Sequence, residues 1–308
     1  MATGAKRDDR ASRGLGAARW AFRTAVPVTE RQRVRRRIAV LCLPFLVLAT
    51  ASGLFPIVEM VRISVSEMQF RTTGFSLDTY RTLATDPYYR TVALNSLWFA
   101  AATTVGSLAV AVPVAHAIAK YDLPFERLIV TVLAFPNSLP GIVAAFMIIV
   151  LLGNTGLLTN FLAVLSGRSP TTLATATSVV GLFFAYLYSM VPRALLLLRG
   201  TYAEVNTAAE EAARALGANP LETFYHVTLP QIRPGLIGAF VLTFRTGLAI
   251  FGTILILKSL TVWTLQINRE LATGFDIRMA SAMATVWFVG VFVFTVGTLR
   301  YTSAEVTV

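Results

Sequence analysis

The charge-free runs constrain this chain most. Leu128–Gly167 carries no Asp, Glu, Lys or Arg over forty residues, Val92–Ala119 none over twenty-eight, and Ile38–Val58 none over twenty-one. Ser169–Pro192 and Met279–Leu299 are also free of charge, and Pro234–Leu257 holds Arg245 alone. About twenty apolar residues cross a bilayer as a helix. Six spans is therefore the natural count, with the forty-residue run holding one span plus an uncharged loop or re-entrant piece. The expected fold is all-α and polytopic, because only helices and closed barrels satisfy every backbone group in lipid. Composition agrees: 55% of residues are hydrophobic, 14% are charged, and mean hydropathy is +0.65. A soluble globular domain lies outside that range.

Orientation comes from the N-terminal arm. Residues 1–37 hold eleven Lys/Arg against Asp8, Asp9 and Glu30, a net +8 of the total +11. Basic flanks stay in the cytoplasm. Six spans then put both termini on that side, with residues 199–233 facing inward and 64–91, 153–172 and 258–278 facing outward. The first apolar run is too long for a signal h-region and lies behind a basic arm of more than thirty residues, so it reads as a retained anchor. Gly, Ala and Arg content points to partial disorder in the arm, and residues 300–308 read as a cytoplasmic tail. Beside a membrane helix, basic charge addresses lipid headgroups rather than nucleic acid.

One polar segment interrupts the apolar pattern. Glu210-Glu211-Ala212-Ala213-Arg214-Ala215-Leu216-Gly217 reads as a short helix. Thr207 and Glu210 have capping-box spacing. Ala209, Ala212, Ala213 and Leu216 share one face, where a partner's backbone has room for close approach. Gly217 suits the left-handed position after a helix end. A second helix restarts with Asn219 as N-cap, Pro220 at the first helical position and Glu222 in the first turn. Pro230 and Pro234 are expected to end it before the next span. An ordinary amphipathic hairpin has the same caps; a docking site for a soluble partner is the functional alternative.

The spacing Glu-Ala-Ala-x3-Gly-x9-Ile-x-Leu-Pro decides between them by resemblance. It is similar to the cytoplasmic loop of permease subunits of binding-protein-dependent ABC importers. Glu211, Ala212, Ala213, Gly217, Leu229 and Pro230 match, and Val227 stands for Ile. The resemblance implies that residues 203–230 seat in a cleft of an ABC ATPase subunit. Glu210, Glu211, Ala212, Ala213, Gly217, Leu229 and Pro230 are then the coupling residues. It further implies a second permease, identical or homologous, and a periplasmic or lipid-anchored substrate-binding protein, all at a bacterial inner membrane. In this family an outer element such as Gly153–Asn160, which reads as a helix end and a short capped helix, meets the binding protein.

The resemblance extends over about residues 38–299. Asp78-Thr79-Tyr80, Asn95-Ser96-Leu97, Leu139-Pro140, Phe251-Gly252, Leu265-Gln266-Ile267 and Arg269-Glu270 look like the spermidine/putrescine, phosphonate, iron and molybdate branch. The implied cargo is a small charged organic solute, polyamine-like or phosphonate-like, with iron, thiamine, molybdate or a sugar as alternatives. Several relatives carry Glu before the Phe-Gly pair, where Ile250 stands here, so that residue's role does not transfer.

Catalytic chemistry is hard to find. His116 and His226 are far apart, Cys42 is alone, and metal-ligand spacing is lacking. No Gly-x4-Gly-Lys-Ser/Thr segment cradles a phosphate, so ATP belongs to a separate subunit and no cofactor is expected. Charges inside a membrane are costly and tend to be functional. Arg245 either meets a partner carboxylate, a bilayer edge or another subunit, or it lines the pathway against anionic groups. Pro136-Asn137-Ser138-Leu139-Pro140-Gly141 breaks the third span, and freed backbone there must be buried or line a cavity. Arg245, Phe251, Asn137 and Ser138 are therefore the candidate pathway residues. A secondary transporter is the rival reading. It calls for paired intramembrane carboxylates or inverted repeats, and spans two to six contain no Asp or Glu.

Overall fold

The computed structural model describes residues 30–68, 74–121 and 123–305. The expected disorder of the basic arm falls on residues 1–29, outside that set, as does Arg71 of the first outer loop. Among the described residues every regular element is helical, and six helices are long and apolar enough to cross a membrane. The chain divides at residues 59 and 60 into two units.

The first unit is built on α1 (Glu30–Ala49). It has no buried residue, and Leu41 and Phe45 are more than two-thirds exposed. Apolar side chains all round a helix suit lipid, not water. A π-turn, Thr50–Leu54, leads into α2 (Phe55–Ser64). Pro56 has no N–H for the carbonyl four residues back, so the helix widens there. Ser52 Oγ donates to Leu48 O at 2.6 Å in the same turn.

The second unit begins with α3 (Asp78–Thr85) and α4 (Pro87–Lys120). Asp86 caps α4 by accepting from Tyr88 N, with Pro87 at its start. The third span is broken as its prolines require: α5 (Glu126–Ala134), a 3₁₀ turn Phe135–Ser138, then α6 (Gly141–Leu152). Gly153 ends α6, and α7 (Leu157–Ser166) follows with Gly156 before it, without a side-chain cap. α8 (Pro170–Leu173) leads to α9 (Val179–Ala203), capped by Ser178.

The fourth span therefore lies about three turns beyond the expected 169–192. The charge-free window misplaced it because Arg193 and Arg199 are inside the helix, each with a partner from the segment that leads into the third span. Arg193 Nε donates to Asn137 Oδ1 at 2.8 Å, and Arg199 Nη2 lies 3.1 Å from Glu126 Oε1.

Next come α10 (Thr207–Ala215) and α11 (Pro220–Thr223). A π-turn, Phe224–Thr228, carries the chain straight into α12 (Leu229–Ala249). Pro230 and Pro234 thus do not end the second polar helix. Pro230 follows directly on the π-turn, whose wider bonding (Leu229 N to Phe224 O) accommodates the missing N–H. The result is one 30-residue helix, Pro220–Ala249. The fifth span breaks at Ile250–Phe251 before α13 (Gly252–Leu257). α14 (Trp263–Ala272) and α15 (Ile277–Glu305) complete the unit. α15 runs helical to Glu305, through most of the segment expected as a tail.

α4, α9 and α12 form the centre of this unit. Ala111, Ala115, Ala194, Leu198, Ile232 and Ala239 are fully buried between them. Small residues let membrane helices approach without a hydrophobic driving force. At Gly235 a Cβ would lie 2.0 Å from Thr201 Oγ1, which fixes how closely α12 meets α9. A second cluster joins Phe99, Tyr186, Met190, Ile254 and Leu265. A third stacks Trp263 on Trp287, centroids 5.5 Å apart, beside Val92 and Met283. Polar pins hold α14 to the start of α4: Tyr88 Oη donates to Gln266 Oε1 at 2.6 Å and Tyr89 Oη to Glu270 Oε1 at 3.0 Å.

Candidate functional site

The polar loop is built from local caps. Asn206, not Thr207, is the N-cap of α10: its side chain accepts from Ala208 N at 3.0 Å. The expected Thr207–Glu210 box does not form, because Glu210 turns inward to stronger partners. At the other end Gly217 has φ +94°. Ala218 N donates to Ala213 O and Gly217 N to Arg214 O, the paired bonds of a Schellman end. Asn219 and Glu222 form a reciprocal capping box ahead of α11, with Pro220 at its first position.

Glu210 is 4% exposed. Its Oε2 receives Lys120 Nζ from the end of α4 at 2.5 Å, and its Oε1 receives Thr228 Oγ1 from the π-turn at 2.5 Å. Burial alone raises a carboxyl pKa. Here the bonds from Lys120 and Thr228, with the charges of Lys120 and Arg214, outweigh burial and bring Glu210 below its ordinary value. Asn206 N adds a bond to Gln231 Oε1 at 2.9 Å. Beneath the loop the ring of His116 packs edge-on against Phe224 and Tyr202, centroids 5.1 and 5.7 Å away. His116 is thus a packed imidazole, as its place near the end of the second span implies.

The expected alanine face is split by this docking. Ala209 and Ala213 turn partly inward with Glu210, whereas Glu211 and Ala212 are exposed. Leu216 is 90% exposed, Leu221 66% and Tyr225 58%. Leu229 is half-buried and Pro230 exposed. Of the seven coupling candidates, Glu211, Ala212, Gly217 and Pro230 thus stand outward, and Glu210 works from inside.

The pathway candidates separate into two places. Asn137 and Phe251 lie at the breaks of the third and fifth spans, and the two breaks meet. Thr253 Oγ1 donates to Gly141 O at 2.9 Å. Tyr186 Oη donates at 3.1 Å to Ile250 O, a carbonyl freed by the second break. Phe251 and Arg193 border a cavity of about 120 Å³ there. Ser138 is exposed on the same 3₁₀ turn as Asn137. Arg245 borders a different cavity, about 470 Å³, with Thr264, Trp287 and Phe292. Among the described residues no carboxylate pairs with Arg245. Three residues escaped the reading of the sequence: Lys120, Thr228 and Arg193. Arg193 follows directly on the charge-free run ending at Pro192, and a window allowing one central arginine, as for Arg245, would have included it. Among the described residues no group of three or more His, Cys, Asp or Glu is placed to hold a metal ion.

The permease subunit for sulfate from Salmonella typhimurium, CysT, is 23% identical over 248 residues, 79% of this chain and 87% of its own length. The sn-glycerol-3-phosphate permease UgpA from Escherichia coli (strain UTI89 / UPEC) is 26% identical over 253 residues, 79% and 85% of the two chains. A crystal structure of a bacterial ABC transporter that imports the acidic polysaccharide alginate has a chain of the same fold. Its TM-score is 0.73 at 15% identity, over 88% of this chain and 96% of that one. The same transporter bound to its alginate-loaded periplasmic protein superimposes equally well, at 16% identity over 91% and 98% of the two chains. The profile described as "Binding-protein-dependent transport system inner membrane component" matches residues 107–306. The chain therefore belongs to that family, the multi-pass permease subunits of ABC importers.

Proposed function

We propose that this permease couples to its ATPase through residues 203–230 and carries a small anionic solute. The observation that supports the coupling is the orientation of the loop. Glu211, Ala212, Leu216, Leu221 and Tyr225 point outward, while Glu210 ties the loop's inner side to α4 and α12. Exposed leucines on a loop anchored this firmly fit a surface that a partner buries. A nucleotide-driven closure of two ATPase subunits then draws α10 and α11 inward and moves the spans attached to them. The ATPase must bind the two arrangements with different affinity for this to drive transport. ATP hydrolysis belongs to that separate subunit.

A second permease supplies the other half of the pathway, and both termini lie in the cytoplasm. α7 carries Leu157, Phe161, Val164 and Leu165 outward, each more than half exposed. That surface suits contact with the delivering receptor or the second permease.

The cargo reading narrows. Arg193 and Arg245 sit in membrane helices without a carboxylate partner among the described residues, and a polyamine would meet both as like charges. A phosphonate-like or other oxyanionic solute meets them as opposite charges. Sulfate, glycerol phosphate and molybdate in the names of relatives are all anions.

The test is co-purification of the tagged chain with its ATPase, comparing wild type with Gly217→Asp and Glu211→Lys. Release of the ATPase by either change, with the membrane part still folded, supports the docking surface. Retention by both removes it. Receptor competition across sulfate, phosphonate, spermidine and a neutral sugar tests the cargo, and uptake of the sugar alone sinks the anionic reading.

A further inference from the structure

Arg193 stands well inside α9, where a guanidinium survives only with partners or a cavity. Asn137 Oδ1 holds its Nε at 2.8 Å. A neutral amide leaves the positive charge uncompensated. No carboxylate among the described residues reaches Arg193.

What faces it is irregular backbone from two spans. A Cβ on Gly141 would lie 2.8 Å from Thr253 Oγ1, and one on Gly252 would lie 3.2 Å from Ile142 N. The breaks at residues 136–140 and 250–251 are therefore pressed together, with no room for larger side chains. Broken helix at membrane depth persists where it is buried or lines a cavity. Here it does both. The cavity of about 120 Å³ is bordered by Leu139, Ser189, Arg193 and Phe251. At about 30 Å³ per water it has room for about four.

We propose that Arg193 and this cavity form an anion site on the translocation path, sized for one tetrahedral oxyanion of the sulfate, phosphate or phosphonate class. The inference rests on the anionic cargo reading and names the residue that enforces it. With Nε fixed by Asn137, the two terminal nitrogens remain as a fork. Such a fork matches two oxygens of an oxyanion at once. Ser189 adds a hydroxyl on the same wall. The first turn of α6, which starts at Gly141, adds partial positive charge. The cavity has no space for a sugar chain, and its charge repels a polyamine.

The experiment is binding of radiolabelled sulfate to the full chain in nanodiscs at high chloride, which screens the basic arm. Saturable binding is expected, displaced by phosphate and methylphosphonate but not by spermidine. Arg193→Gln should weaken it about tenfold or more, and Arg193→Lys less, because the fork is lost but the charge kept. Asn137→Asp puts a carboxylate beside the guanidinium and should weaken binding as much as Arg193→Gln. It decides the matter if Arg193→Gln does not fold. Absence of saturable binding, or binding unchanged by both substitutions, overturns the site. Nanodiscs of neutral and anionic lipid separate a soluble oxyanion from a lipid headgroup; occupation by anionic lipid alone also overturns it. Receptor competition by sulfate reads the cargo without Arg193, so failure of this site and failure of the anionic cargo reading are told apart.

Discussion

Lys120 Nζ and Glu210 Oε2 lie 2.5 Å apart and close ninety residues of sequence into one contact between the second span and the polar loop. Both side chains are at most 10% exposed. Removing one partner of a buried pair leaves the other charged and desolvated, at a cost of about 3–5 kcal/mol. Glu210→Ala should therefore destabilise the chain in thermal unfolding far more than Glu211→Ala, whose carboxylate is exposed. Exchanging the pair, Lys120→Glu with Glu210→Lys, should recover much of the loss. Equal effects of Glu210→Ala and Glu211→Ala would show that the pair contributes nothing.

The same contact sets a pH dependence. Glu210 is held below its ordinary value of 4.5, so the folded chain binds fewer protons there than the unfolded one. Its stabilisation is complete above that ordinary value and is lost as pH falls through the lower folded value. The melting-temperature gap between wild type and Glu210→Gln should stay constant from pH 7 to about 5 and shrink in more acid solution. A gap that grows on acidification would mean that the shift has the opposite sign.

The outward leucine of the loop makes a separable prediction. Leu216 is 90% exposed, so Leu216→Glu should leave the isolated chain's melting unchanged. It should lower ATPase retention by about tenfold or more if Leu216 is a buried anchor in the complex. Gly217→Ala meets nothing within 4 Å, so its only cost is the left-handed backbone, about 1–2 kcal/mol. Unchanged ATPase retention in Leu216→Glu would place the docking surface elsewhere.

Tyr186 carries the fourth prediction. Its hydroxyl answers the carbonyl of Ile250 where the fifth span breaks. Tyr186→Phe keeps the packing and orphans that carbonyl, which should cost about 1–3 kcal/mol by thermal unfolding. No change would mean that the carbonyl finds another donor.

What was legible in the sequence was local or compositional. Asn219, Pro220, Glu222 and Gly217 took their expected positions because caps depend on neighbours a few residues away. Six spans follow from apolar length alone. The misreadings share a long-range cause. Glu210 abandoned Thr207 for Lys120 and Thr228, which only the folded chain brings near. The fourth span runs past Pro192 with Arg193 bonded to Asn137 and Arg199 paired with Glu126, both from the segment ahead of the third span. Pro230 and Pro234 look like stops in the sequence because a π-turn leaves no periodic mark in so short a segment.

That π-turn makes α11 the near end of a single rod. At 1.5 Å per residue, 30 residues span about 45 Å. A rod of that length magnifies a small push: a tilt of about 10° about one tip carries the other through about 8 Å. The far tip is Ala249, beside the break where Phe251 faces Arg193. A displacement applied at Pro220 thus reaches the two helix breaks through one continuous helix, and the π-turn with Pro230 and Pro234 are the points where that helix can bend.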